Sequence, residues 1–385
     1  MKKTAIIPLR AGSKGIVNKN KKRLLGRPLF TWVLGEAILS DLDEICIFTD
    51  DQWIIDFINN EYQWTSKVKT LLRSPESASD IASTEFAMEE FAKKIDYNFD
   101  VLFLLQATSP LTSHEDINKA CELIESEGID SVISVVKTHR FIWSKEGQSL
   151  NYDFMNRPRR QDFDGLLIEN GAIYACKKDV FKKTKNRLGG KIETLEMGED
   201  SLVEIDENSD LIIVEKLLEN KLKKQKQKQI IKYFVFDVDG VFTNGNVGYS
   251  KNGELFKTFS VIDGMGFELL QENNIIPIVI TSENSEIVKA RMEKLKLKNV
   301  HLGVKDKYTF LNNLLNKLKI NRSEIAYMGD DINDLANICS SSWGICPLNA
   351  TPVIKQHADY ILHNKGSESA IREAIEFIIN FNKRY

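Results

Sequence analysis

Short apolar runs alternate with longer amphipathic stretches along the whole chain, and this rhythm limits the fold more than any other feature. Thr4 to Pro8, Ile45 to Phe48, Val101 to Leu105 and Val132 to Val136 form one series. Tyr233 to Val238, Ile276 to Ile280, Ile325 to Met328 and Trp343 to Cys346 form a second. Buried strands spaced by helical segments are βαβ units, so each series is expected to fold as α/β, a mainly parallel sheet flanked by helices. Between the series, residues 219–229 read ENKLKKQKQKQ. Such a stretch is either the solvated end of a helix or a linker, and both readings mark a domain boundary. A length of 385 residues also suits two domains. No internal repeat relates the halves.

Composition narrows the class. With 42% hydrophobic and 28% charged residues the chain can bury a core, which argues against wholesale disorder. Lys plus Arg (52) nearly balances Asp plus Glu (55), a net charge of −3, so no overall basic field points to nucleic acid or an anionic membrane. Small anionic ligands need only a local pocket. Five scattered cysteines without a C-x-x-C pair argue for reduced thiols and against a disulfide or zinc framework. The start MKKTAIIPLR lacks the long apolar stretch of a signal peptide, and no run approaches the ~20 residues of a membrane span. A cytoplasmic protein is expected.

In the first half, the strand Thr4 to Pro8 leads into Arg10-Ala11-Gly12-Ser13-Lys14-Gly15 and then the basic stretch Lys19 to Arg23. Glycines after a strand let backbone N–H groups turn towards phosphates while Arg and Lys supply charge. The spacing is neither the dinucleotide nor the Walker pattern, and an ordinary turn with surface cations is the alternative. RSPESASDIAST (Arg73 to Thr84) precedes a helix and could hold a triphosphate or base, and LLQATSPL (Leu104 to Leu111) ends a strand, where ligand sites of such sheets lie. In VEID (Val203 to Asp206), two carboxylates two residues apart would share one face of a strand. They could hold Mg²⁺ against a phosphate, or form a solvated face. His114 and His139 are expected at the surface or with ordinary partners.

Together with RPRRQDFDGLLIENGAIY (Arg157 to Tyr174), these strings resemble the cytidylyltransferases that activate sialic acids, closest to the animal type, over nearly all of residues 1–215. The resemblance implies a nucleotide-diphospho-sugar transferase-like α/β fold. It implies that Arg10, Ser13, Lys14 and Asn20 cradle CTP, Lys14 also serving catalysis, with Arg73 and Thr84 near the nucleotide. Gln106 would lie close to the sugar, Arg159, Arg160, Asn170 and Tyr174 would line the sugar or a subunit interface, and Glu204 with Asp206 would bind Mg²⁺. The sugar's anomeric hydroxyl then attacks the α-phosphorus of CTP and pyrophosphate leaves, a reaction run mainly by positioning and charge stabilisation.

In the second half an apolar strand delivers Asp237-Val238-Asp239-Gly240. Carboxylates at i and i+2 suit a nucleophile, Asp237, and an acid/base partner, Asp239, forming and then hydrolysing an aspartyl-phosphate. Thr281-Ser282 offers a hydroxyl and amides to the phosphoryl group, Lys307 neutralises charge, and Gly329 to Asp334 supplies metal-binding acids. The order of these motifs resembles the haloacid dehalogenase superfamily, in particular capless phosphatases of 8- and 9-carbon keto-sugar-acid phosphates. The resemblance implies a Rossmannoid domain without a large cap, and Mg²⁺ held by Asp237, Asp330 and the backbone carbonyl of Asp239. It also implies a tetramer in which a neighbour's hairpin (Gly240 to Phe259) and C-terminal segment help close the site. Relatives acting on the 8-carbon sugar typically read T-G-R where this chain has Thr281-Ser282-Glu283. Glu283 with Lys294 looks like the version acting on 9-carbon acid 9-phosphates. The segment Lys365 to Glu373 departs from the usual G-G-x-G-A form.

The expected organisation is a cytidylyltransferase domain (1–220), a basic linker or helix end (221–230) and a phosphatase domain (231–385). Removing a 9-phosphate and coupling the freed sugar acid (N-acetylneuraminate or its deaminated analogue) to CMP are consecutive steps. The alternatives are a C-terminal domain that serves only tetramerisation, as in animal-type relatives whose second half has altered acids, or 8-carbon specificity. The expected partners are CTP, the sugar acid and its phosphate, within a homo-tetramer of dimeric transferase units joined through the phosphatase domains. Neither nucleic acid nor membrane is expected.

Overall fold

The structure is a computed structural model that describes residues 1–12 and 15–384. It divides into two compact units, Met1–Lys22 with Pro28–Leu217, and Arg23–Arg27 with Leu218–Tyr385.

The first unit is built on a seven-stranded sheet. Its strands run in the order Val68–Leu72, Glu44–Thr49, Lys3–Leu9, Val101–Leu105, Leu166–Lys177, Ser131–Thr138, Ile192–Met197. All pairings are parallel except those of Leu166–Lys177, which is antiparallel to both neighbours. The four apolar runs read from the sequence all lie in this sheet. One face packs Ile7, Val33, Ile47, Phe103 and Ala175, the other Ile6, Phe48, Phe91, Leu104 and Tyr174. Alternate residues of one strand thus feed two cores, which is why the central strands are continuously apolar. Each fully buried aliphatic or aromatic side chain contributes about 1.5–3 kcal/mol. Side chains set the helix starts: Ser83 accepts the Phe86 N–H ahead of Thr84–Lys94, and Ser113 with Asp116 forms a capping box ahead of His114–Glu125.

The second unit holds a parallel sheet in the order Val300–His301, Ile276–Ile280, Tyr233–Phe236, Ile325–Met328, Trp343–Cys346, Tyr360–Ile361. A small antiparallel hairpin, Gly248–Ser250 with Gly253–Phe256, follows the first strand of this unit. The basic segment differs from a solvated one. Its helix, Asn208–Lys224, stops at Lys224, and beyond it Lys226 Nζ bonds Asp359 Oδ2 at 2.5 Å and the Ile338 carbonyl at 3.0 Å. Lys228 Nζ donates to the Ser342 carbonyl at 2.6 Å and sits 3.4 Å from the centre of the Trp343 ring. Burial lowers its pKa to about 8. These lysines are used for packing, a possibility that composition does not reveal. All five cysteines are buried and free, and no described helix is long and apolar enough to cross a membrane.

Candidate active sites

In the first unit the strands Lys3–Leu9 and Val101–Leu105 lie side by side, so the segments that leave their C-terminal ends converge. With the Arg73–Thr84 segment they enclose a cavity of about 400 Å³ lined by Arg10, Lys19, Asn20, Arg73, Asp80, Thr84, Gln106, Thr108 and Asp206, among others. Asn20 is nearly buried and donates to the Arg10 carbonyl at 3.2 Å, tying the two ends of the first loop together. Arg73, also buried, is held by Ser77 through its hydroxyl and carbonyl, and desolvation lowers its pKa. Arg10 pairs with Asp80 at 2.9 Å. Ser13 and Lys14 lie outside the described residues.

Lys19 is the residue that motif reading passed over. Its ammonium reaches the Ile205 carbonyl at 2.8 Å and Asp206 Oδ1 at 3.4 Å, inside the cavity. It was visible only as one of several lysines in a basic stretch. VEID is not a strand; it is irregular chain between a 3-10 turn and the helix Asn208–Lys224. Asp206 therefore lines the cavity, whereas Glu204 is half-buried next to Gly171, where an added Cβ would lie 2.1 Å from Glu204 Oε1. Burial, then repulsion from Asp206 and Glu169, raises the Glu204 pKa.

Four of the expected sugar contacts take other places. Asn170 is 1% exposed, and its amide bonds Ser134 Oγ at 2.6 Å and Ser201 Oγ at 3.0 Å, so it is a core connector. Tyr174 is buried, its hydroxyl donates to Glu169, and Arg187 covers its ring. Arg159 and Arg160 are exposed, the former paired with Asp162, and neither lines the cavity. Only Gln106 of that group does.

In the second unit the strands Ile276–Ile280, Tyr233–Phe236 and Ile325–Met328 are adjacent and parallel, so the residues that follow them, Thr281, Asp237 and Gly329-Asp330, meet at one edge. The helix Lys307–Leu318, capped by Asp306, presents Lys307 at its first position. The fully buried Lys307 ammonium lies 2.7 Å from Asp237 Oδ2 and 2.8 Å from Asp334 Oδ1. Asp334 also accepts from the Tyr327 hydroxyl at 2.6 Å. Asn333 Nδ2 donates to Ser282 Oγ at 2.8 Å, linking the second and fourth motifs.

Carboxylate oxygens of Asp237, Asp330 and Asp334 all lie within 4.8 Å of one another. One lysine against two buried acids, Asp237 and Asp334, and the partly buried Asp330 leaves uncompensated negative charge. Burial, then repulsion from Asp334 and Asp237, pushes Asp330 up to about 8, and burial also raises Asp237 against the pull of Lys307. A hard divalent cation fits this oxygen donor set. Asp334 thus joins the acids expected at the metal, while the Asp239 carboxylate turns to Lys257, at 2.8 and 2.9 Å, and to the Thr243 hydroxyl. Gly240 is required between them: its φ is +81°, and a Cβ there would lie 1.9 Å from Asp330 Oδ2.

Thr281 is buried at its strand end. Glu283 and Lys294 are exposed at opposite ends of the helix Glu286–Lys294, whose length of about 12 Å keeps them from forming one contact.

Two families of known proteins match the chain. The family described as Cytidylyltransferase matches residues 4–242, and the haloacid dehalogenase-like hydrolase family matches residues 203–375. The chain is 31% identical to N-acylneuraminate cytidylyltransferase B of Danio rerio over 99% of this chain and 91% of that protein. It is 32% identical to the 3-deoxy-D-manno-octulosonate 8-phosphate phosphatase of Haemophilus influenzae, over 40% of this chain and 86% of that protein. The crystal structure of the corresponding phosphatase from Moraxella catarrhalis is 33% identical, covering 44% of this chain and 93% of that one, with a TM-score of 0.39. The chain therefore belongs to the cytidylyltransferase family and carries a haloacid dehalogenase-like hydrolase domain as its second half.

Proposed function

We propose that the chain dephosphorylates a 9-carbon sialic-type acid 9-phosphate and transfers cytidylyl from CTP to the anomeric hydroxyl of such an acid, N-acetylneuraminate or its deaminated analogue. The observation that carries the transferase reading is the cavity lined by Arg10, Lys19, Asn20, Arg73 and Asp206, where cations for a triphosphate face an acid suited to Mg²⁺. The proposed domains are 1–220 and 231–385, assembled as a homo-tetramer.

For the hydrolase, the buried Asp237–Lys307–Asp334 array carries the reading. Asp237 attacks phosphorus and the P–O bond to the sugar breaks; Asp239 gives its proton to the leaving oxygen and then takes one from the water that cleaves the aspartyl-phosphate. Lys307 keeps Asp237 ionised and oriented. Mg²⁺ held by Asp237, Asp330 and Asp334 would supply charge neutralisation on the phosphoryl oxygens. All of these acids are in place, which favours an active phosphatase over a module used only for assembly.

The test is phosphate release from the 9-phosphate in Mg²⁺, with Asp237→Asn alongside, and CTP-dependent pyrophosphate release, with Asp206→Ala alongside. Each variant should lose its own activity and keep the other. Full phosphatase activity in Asp237→Asn sinks the nucleophile assignment. Turnover of the 8-carbon acid and its phosphate in preference to the 9-carbon pair overturns the substrate assignment.

A further inference from the structure

The C-terminal helix Ala370–Asn382 begins without a cap of its own. Ser369, at its N-cap position, is left-handed at φ +72°, and its hydroxyl makes no capping hydrogen bond. Ser367 is left-handed too, at φ +66°. Side chains avoid this region because Cβ crowds the backbone, so two such residues in so short a stretch need an outside restraint. Asp263, in the first turn of the helix Val261–Glu272, supplies it. Its side chain is fully buried, and Oδ1 accepts the Arg372 N–H at 2.9 Å. A carboxylate there satisfies an amide, that of Arg372, which the helix itself leaves without a partner. The two helices are close beside it: a Cβ on Gly266 would lie 2.7 Å from Ile375 Cδ1.

The chain just before this helix reaches the turn that follows Asp239. Gly366 N–H donates to Asn349 Oδ1 at 2.7 Å, and Asn349 Nδ2 donates to the Gly240 carbonyl at 2.8 Å. A Cβ on Gly366 would lie 2.3 Å from the Gly240 carbonyl oxygen and 2.4 Å from that of Thr243, so backbone rests directly on backbone.

We propose that Asp263 is a positioning residue of the hydrolase: by capping the helix Ala370–Asn382 it holds Gly366 against the Gly240–Thr243 turn and so keeps Asp237 and Asp239 placed for attack and proton transfer. This rests on the phosphatase reading of the second unit. Small displacements of reacting groups reduce rate steeply while leaving the rest of the chain intact.

The experiment measures phosphate release and cytidylyl transfer on the same full-length samples, so the transferase reports whether the chain is folded. Asp263→Ala should lower phosphatase kcat by about tenfold to 10²-fold, with transfer unchanged. Asp263→Asn, whose Oδ1 still accepts the Arg372 N–H, should restore most of it. Gly366→Ala, which leaves the cap intact but pushes on the turn, should lower kcat as Asp263→Ala does. Wild-type phosphatase kcat in Asp263→Ala, or Asn no better than Ala, overturns the proposal. If Asp263→Ala does not fold, Gly366→Ala decides alone, and wild-type kcat there overturns it. A wild-type chain that releases no phosphate from either the sugar phosphate or p-nitrophenyl phosphate instead fails the underlying phosphatase reading.

Discussion

Lys257 donates to both carboxylate oxygens of Asp239, at 2.8 and 2.9 Å, from a side chain with no solvent exposure. Lys257 follows the hairpin strand Gly253–Phe256, and Glu254 of that strand lies 3.4 Å from the same ammonium and accepts from Ser285. The hairpin thus fixes the orientation of the proposed acid/base. Lys257→Met leaves Asp239 without its cation, and phosphatase kcat should fall by about 10²-fold, within the range of a lost acid/base contribution. Cytidylyl transfer by the same sample should be unchanged.

Asp334 shares the buried cluster with Asp237 and Asp330 and is oriented by Tyr327 and Lys307. Asp334→Asn should raise the Mg²⁺ concentration that gives half-maximal phosphate release by about 10-fold to 100-fold, the usual cost of a disturbed metal-site partner. Tyr327→Phe should shift it less. A chelator should abolish phosphate release from the wild type, with recovery on adding Mg²⁺.

Asn170 joins the strands Ser131–Thr138 and Leu166–Lys177 to the Glu199–Leu202 turn through Ser134 and Ser201. Asn170→Ala leaves both hydroxyls short of a buried partner and should destabilise the first unit by about 1–3 kcal/mol. Thermal melting should show the loss, while KM for the sugar acid stays within about twofold of the wild type, since no substrate contact is removed.

Burial raises the Asp263 pKa from 3.8 to about 6, partly opposed by the amides of Arg372, Ser369 and Ile371 and by the charge of Arg291. The folded state therefore binds this proton more tightly than the unfolded state. The stability that goes with it is fully present below about pH 4 and is lost as pH rises through 6, an effect on the order of 3 kcal/mol. Asp263→Asn cannot titrate. Its melting temperature, relative to the wild type, should rise between pH 4 and pH 7, and a constant difference across that range would contradict the raised pKa.

Eight apolar runs were enough to place the central strands of both sheets, because a strand buried on two faces needs consecutive apolar residues. The antiparallel strand Leu166–Lys177 escaped that reading: it carries Glu169, Asn170 and Gly171, and its first residues are exposed. Asp237, Lys307 and Asp330 were legible because the proposed chemistry needs fixed types at strand ends and helix starts. Lys257 was not, since nothing in its spacing from Asp239 ties the two together. Lys226 and Lys228 read as solvated for the same reason: composition shows the charge but not Asp359 or the Trp343 ring beneath it.

The sequence by itself determined two α/β domains and the strand ends at which the candidate acids and cations stand, all of them properties of short segments. Only the tertiary structure decided which of those groups meet. It sent Asn170 and Tyr174 into the core, drew Lys19 to Asp206, added Asp334 to Asp237 and Asp330, and gave Asp263 a helix to cap. The physical reason is distance. Periodicity reports which face of its own element a side chain occupies, whereas an ion pair or hydrogen bond forms only within about 3 Å, and packing brings distant segments that close.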